Sequence, residues 1–153
     1  MYSCGLRISE AVKVEVGHVD SANRLLHIVG KGNKERRVPL AQPVLADLRN
    51  LWKTHRHPQW LFPNRDGSGH VAIDVVGGTF REAAAEAGLP TRVTPHVLRH
   101  SYATRLLENG VDIRVVQILL GHANITSTAI YTHLTEPTRE SLRKLLDTIM
   151  TGL

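Results

Sequence analysis

His96 and Arg99 lie three positions apart, a spacing that makes them neighbours on one helix face. Together they present a cationic, hydrogen-bonding surface, and Ala103, one turn beyond Arg99, leaves room for a bulky ligand. Taken alone, the pair reads more simply as the solvated face of an amphipathic helix. His100 adds a His-x-x-x-His spacing, but no acidic residue lies between the histidines and Arg99 would repel a cation there, so no metal site is expected. Gly30-Lys31-Gly32-Asn33-Lys34 sets two lysines on a turn whose glycines supply positive φ. It is not a nucleotide-binding P-loop, because neither Lys-Ser nor Lys-Thr follows the second glycine and no helical pattern comes after it. Arg7, His122 and Tyr131 complete the set of chemically capable side chains. Each has an ordinary alternative: a surface salt bridge from Arg7 to Glu10, a solvated lysine turn, a helix cap for His122, a half-buried aromatic for Tyr131.

The elements that must position these residues can be read from periodicity. Val12, Val14 and Val16 alternate with polar residues, Leu25 to Val29 is a compact apolar run, and Glu35 to Leu40 ends in Val38-Pro39-Leu40. Three short antiparallel strands are expected, the last two joined by the lysine turn. Before them, Gly5 to Glu10 reads as the end of a helix, so the chain is expected to begin mid-element. Helices are expected from Pro43 to His55 and from Val75 to Ala87, as scaffold. Thr94-Pro95 opens another with a hydroxyl cap; its stripe is Leu98, Tyr102 and Leu106, and Gly110 closes it. Asp112 caps the next, which runs to Gly121, and Thr126 can cap a short one holding Tyr131. Pro137 begins a final helix with Leu142, Leu145, Leu146 and Ile149 on one face. The fold class is α+β, mainly α, with a small three-stranded antiparallel sheet.

Composition narrows the function classes. At 153 residues and 42% hydrophobic, the chain can bury one sizeable core as a single domain. With mean hydropathy −0.15 and no apolar run near the roughly 20 residues that span a bilayer, a membrane-embedded protein is not expected. No signal peptide is expected, and one cysteine permits neither an internal disulfide nor an all-cysteine metal site. Both features fit a cytoplasmic protein, and Cys4 is expected to be a buried apolar residue. Nineteen Lys and Arg against fourteen Asp and Glu give +5, with pI near 9.8, which favours an acidic partner, nucleic acid first.

Gly5-Leu6-Arg7-Ile8-Ser9-Glu10, the Lys31 hairpin, His96-Val97-Leu98-Arg99-His100-Ser101-Tyr102-Ala103-Thr104, Leu120-Gly121-His122 and Ile130-Tyr131-Thr132-His133 occur in that order. The series resembles the catalytic domain of the tyrosine recombinase, or phage integrase, family from about Tyr2 to about Leu134. Each motif alone is weak; five in order, with Tyr131 nine residues after His122, are not. The resemblance implies that Arg7, Lys31, His96, Arg99, His122 and Tyr131 match the six active-site positions, with no substitution. It further implies attack of the tyrosine on a DNA phosphodiester, a 3′-phosphotyrosine bond and a freed 5′-hydroxyl, with neither metal nor nucleotide cofactor.

Physical chemistry suits these residue types to that reaction. Arg7 and Arg99 offer planar forks of donors to the non-bridging oxygens, and His122 can add a hydrogen bond, a donor whose loss typically costs about 10² to 10³ in rate. Tyr131, with a reference pKa of about 10, needs nearby cations and a base, for which His96 is the candidate. Lys31, on its hairpin, is the candidate general acid for the leaving 5′-oxygen. Lys34, Arg36 and Arg37 are the candidate DNA-contacting cations.

Members of that family usually carry an N-terminal domain that closes a clamp on DNA, and one or two helices before the first arginine motif. The resemblance implies that both are missing, and that residues 1–153 form a partial catalytic domain. Such a half-clamp is expected to bind DNA through phosphate contacts, with steep salt dependence and poor strand exchange. The region from Ala103 to Tyr131 also resembles a helix-turn-helix reader in outline. A non-enzymatic DNA-binding module and an inactive recombinase remnant therefore stand as alternatives. Expected partners are double-stranded DNA and other recombinase protomers, since the final helix could pack on its own core or dock in a neighbour.

Overall fold

Gly5 bends the entering chain at φ +60° after a turn over residues 2–4, in the computed structural model that describes residues 1–30, 35–90, 92–121 and 135–151. Arg7 starts α1 (Ile8–Ala11), a single turn, where the sequence suggested the end of a longer helix. The positive φ at Gly5 leaves the right-handed region and prevents helix on its N-terminal side.

The first expected strand is placed differently. Val14 and Val16 alternate correctly, but their backbone bonds go to another segment: Leu61 N–H donates to Val14 O and Val16 N–H to Gln59 O. Val16–His18 is a 3-10 turn, and the edge strand is the two-residue β1 (Val19–Asp20). It pairs with β2 (Leu25–Val29), and β2 with β3 (Glu35–Pro39), both antiparallel, in the order β1-β2-β3. In that register Leu26 faces Val38 and Ile28 faces Arg36. Leu26, Ile28, Arg36 and Val38 are all buried, while Glu35 and Arg37 are exposed.

The helices follow the expected spans closely: α2 is Gln42–His55, α3 Ile73–Glu86, α4 His96–Glu108, α5 Ile113–Leu120 and α6 Glu136–Thr151. Asp112 caps α5 by accepting from Arg114 N–H at 2.7 Å, and Gly121 ends it at φ +67°. The hydroxyl cap expected of Thr94 does not form. Pro95 is the capping residue of α4 without a side-chain bond, and Val97 N–H donates instead to the Thr94 carbonyl.

Two apolar clusters hold the fold. One joins the sheet to α2 through Leu26, Ile28, Val38 and Leu45, with Cys4 buried in it; burial pushes the Cys4 thiol above its usual pKa. The other packs Tyr102 and Leu106 of α4 and Leu119 of α5 against Leu142, Leu146 and Met150 of α6. The final helix therefore covers its own core. Asp147 on α6 also accepts from Gln42 N–H at 2.7 Å and from Arg24 at 2.8 Å, supplying α2 with the N-terminal acceptor that its own capping residue Ala41 lacks.

Candidate active site

Glu10 is the hub of the site. As the third residue of α1 its carboxylate folds back onto the helix start, accepting from Arg7 N–H at 2.8 Å (Oε2) and from the Arg7 guanidinium at 3.0 Å (Oε1). The i, i+3 pair read from the sequence exists, but its carboxylate is buried. Arg36 enters from β3 and closes on both carboxylate oxygens, Nη1 to Oε1 at 2.9 Å and Nη2 to Oε2 at 2.8 Å, a bidentate, charge-assisted pair. The third cation is Arg99 of α4, 3.9 Å from Oε2.

The same cations cap α5. Arg36 Nε donates to Leu119 O at 3.0 Å and Arg99 Nη2 to Leu120 O at 2.6 Å, satisfying two of the carbonyls that a helix C-terminus leaves open. Arg99 Nη1 donates to Gly5 O. Gly5 is required there: a Cβ would lie 2.7 Å from Tyr102 Cδ1 and 2.9 Å from Leu120 Cδ2.

Burial alone would raise the Glu10 carboxyl, but the hydrogen bonds from Arg36 and the Arg7 N–H, with the Arg36 charge, outweigh it and hold the pKa at about 2. Burial and the neighbouring Arg7 charge lower Arg99 to about 10, against the opposing pull of Glu10. It stays protonated at neutral pH. Three guanidiniums against one carboxylate leave two positive charges. Side-chain exposure grades them: Arg36 5%, Arg99 11%, Arg7 42%. Arg7 can thus meet an anion from solvent, Arg99 only through the N–H groups left over from its bonds to Gly5 O and Leu120 O, and Arg36 not at all.

Arg36 therefore corrects the sequence reading, which placed it among DNA-contacting cations. Neighbours on a strand point to opposite faces, so Arg36 and Arg37 could not share one. Arg36 is in phase with buried Val38, and Arg37 is exposed on the outer face. Glu10, which sequence reasoning left as a surface partner of Arg7, is the residue it missed; its i+3 spacing was the available signal. His96 is exposed on α4, one turn before Arg99. Lys31, Lys34, His122 and Tyr131 lie outside the described residues.

The phage integrase family matches residues 1–137 of this chain. The chain is 43% identical over 141 residues to tyrosine recombinase XerD of Rhizobium meliloti (strain 1021), covering 89% of this chain and 45% of that protein. To XerD of Lacticaseibacillus casei it is 44% identical over 142 residues, 88% and 48% of the two chains. It thus spans about half the length of the curated relatives it matches. Its fold is similar to that of an integrase from mycobacterium phage Brujita (TM-score 0.73, 34% identity, 95% of this chain and 47% of that one). A second similar structure is the XerH site-specific recombinase bound to difH substrate (TM-score 0.71, 28% identity, 92% and 43%).

Proposed function

We propose that this chain, which belongs to the phage integrase family, breaks and rejoins DNA strands through a 3′-phosphotyrosine intermediate, acting as the catalytic part of a site-specific recombinase in the cytoplasm. The observation that carries the reading is the convergence of Arg7, at the start of α1, and Arg99, on α4, on the single carboxylate of Glu10. A plain DNA-binding module has no need for a buried anion that gathers three guanidiniums.

In this reading a phosphodiester takes the solvent side of Arg7 and Arg99, its non-bridging oxygens bonded by their forks. Tyr131 gives its phenolic proton to a base, with His96 in that role, and its oxygen attacks phosphorus. The P–O bond to the 5′-oxygen breaks and Lys31 supplies the proton that the leaving oxygen takes. His122 adds a donor to the same phosphate. The charge that builds on the phosphorus-bound oxygens is met by donors already in place, which is where such sites gain most of their rate. Exposed Arg37, with Lys34, serves backbone phosphates and orientation. Double-stranded DNA is the substrate and a second strand's 5′-hydroxyl reverses the step; further protomers supply that strand's partner site.

A duplex nicked close to the break, so that the cleaved piece diffuses away, traps the covalent species. The expected result is a protein–DNA adduct through a 3′-phosphate that forms equally well in excess chelator and is absent from Tyr131→Phe. Equal adduct from Tyr131→Phe would sink the nucleophile assignment.

A further inference from the structure

Arg36 is the strongest unexplained group in the molecule. Burying a guanidinium is costly unless its donors are matched. Here three of its five N–H donors are matched by hydrogen bonds, two to Glu10 and one to Leu119 O. It occupies the core-facing side of β3, opposite Ile28, where an apolar residue would satisfy the strand pattern. Its guanidinium is also tightly housed, since a Cβ at Gly121 would lie 3.0 Å from Cδ and Nη1 and 3.2 Å from Cζ.

The geometry around Arg99 parallels that around Arg36. Each cation lies against Glu10 and each bonds a carbonyl at the end of α5, Leu119 for Arg36 and Leu120 for Arg99. Without Arg36, Glu10 would be a buried carboxylate facing Arg7 and Arg99 alone, and both would be drawn in to satisfy it. Arg99 would then be pulled off the carbonyls of Gly5 and Leu120 that now hold it, and Arg7 would lose its reach into solvent.

We propose that Arg36 is a positioning residue for strand cleavage: by saturating Glu10 and fixing the end of α5, it keeps Arg99 anchored on its two backbone carbonyls and leaves Arg7 open to a phosphate. This rests on the function proposed above. Arg36 acts through Glu10, Arg7 and Arg99 and touches no DNA. It also ties β3, which follows Lys31 in the chain, to α5, which precedes His122, so that three stretches carrying active-site motifs meet at one side chain.

The test uses Arg36→Lys, which keeps the charge but loses the planar fork, assayed well below its melting temperature with the nicked duplex. Affinity for an intact duplex should stay within about threefold, because a buried cation contributes no phosphate contact. The single-turnover rate of adduct formation should fall about 10²-fold, the effect expected of ångström-scale misplacement. The guanidinium NMR signals of Arg7 and Arg99 in arginine-labelled protein should shift. An adduct rate equal to that of the unaltered chain overturns the proposal, as does loss of duplex affinity in step with rate. If the unaltered chain forms no adduct, the functional reading fails by itself. The NMR signals then decide the positioning role, shifted in support and unmoved against it. Should Arg36→Lys not fold, Gly121→Ala presses a methyl group onto the same guanidinium and carries the same expectations.

Discussion

Arg99 lies 3.9 Å from the Glu10 carboxylate, yet its hydrogen bonds run to the carbonyls of Gly5 and Leu120. Glu10 supplies charge while the backbone sets direction, so the fork is held by two elements that are distant in sequence. Arg99→Lys keeps the charge and cannot reach both carbonyls while presenting a planar face. Adduct formation is expected to fall about 10² to 10³-fold, with a stability loss of about 1 to 2 kcal/mol from the broken backbone bonds. Single-turnover cleavage and urea denaturation measure the two separately, and a rate within threefold of the original would contradict this account of Arg99.

Gly5 carries the other end of that arrangement. Its φ of +60° costs a residue with a Cβ about 1 to 2 kcal/mol, and the methyl of Gly5→Ala would sit 2.7 Å from the ring of Tyr102, which is buried among close-packed neighbours. Overpacking of this kind adds about 1 to 3 kcal/mol. A clear drop in the urea midpoint is expected, together with slowed cleavage, because the Gly5 carbonyl is an Arg99 acceptor. An unchanged midpoint would mean that the segment relaxes freely.

The helices and two of the three strands were legible because their signals are local: α2, α4, α5 and α6 show apolar residues at helical spacing, β2 is a compact apolar run, and β3 ends in Val38-Pro39. The first strand was misplaced because alternation at Val12, Val14 and Val16 says nothing about which segment completes the backbone bonds, and Gln59 and Leu61 do so here. At the site, the motif order singled out Arg7 and Arg99 as candidates, and the structure sets both beside Glu10. The role of Glu10 was hidden because an i, i+3 pair looks the same at the surface and in the interior. Arg36 was misread by composition, since a basic stretch suggests DNA, although strand parity with Val38 already pointed inward.

Glu10 makes stability acid-sensitive in a definite window. Its folded pKa of about 2 lies below the usual 4.5, so its contribution is complete above about pH 4.5 and is lost as the pH falls through about 2. The difference corresponds to about 3 kcal/mol. Glu10→Gln removes that dependence and leaves the Arg36 charge buried without a counter-ion, at a cost of about 3 to 5 kcal/mol near neutrality. Unfolding free energies from pH 7 to pH 2.5 should therefore converge for the two proteins at the acid end. Parallel curves would show that Glu10 is not the group responsible.

The final helix offers a test of assembly. Leu146 is fully buried and Leu142 and Met150 nearly so, all against α4 and α5 of the same chain, and Asp147 one position on bonds Gln42 N–H and Arg24. A helix that both fills the core and caps α2 cannot leave without exposing Tyr102 and Leu106 and orphaning a helix N-terminus. Leu146→Glu is thus expected to lower unfolding free energy by more than about 3 kcal/mol, from the buried charge and lost apolar contact together, while Asp147→Ala costs about 1 kcal/mol as a lost cap. Sedimentation should show the same association state for both variants as for the unaltered chain. Dissociation of an oligomer into folded, undiminished monomers would instead place α6 in a neighbouring protomer, and would make assembly, through the chain that links Tyr131 to Pro137, a condition for placing the nucleophile.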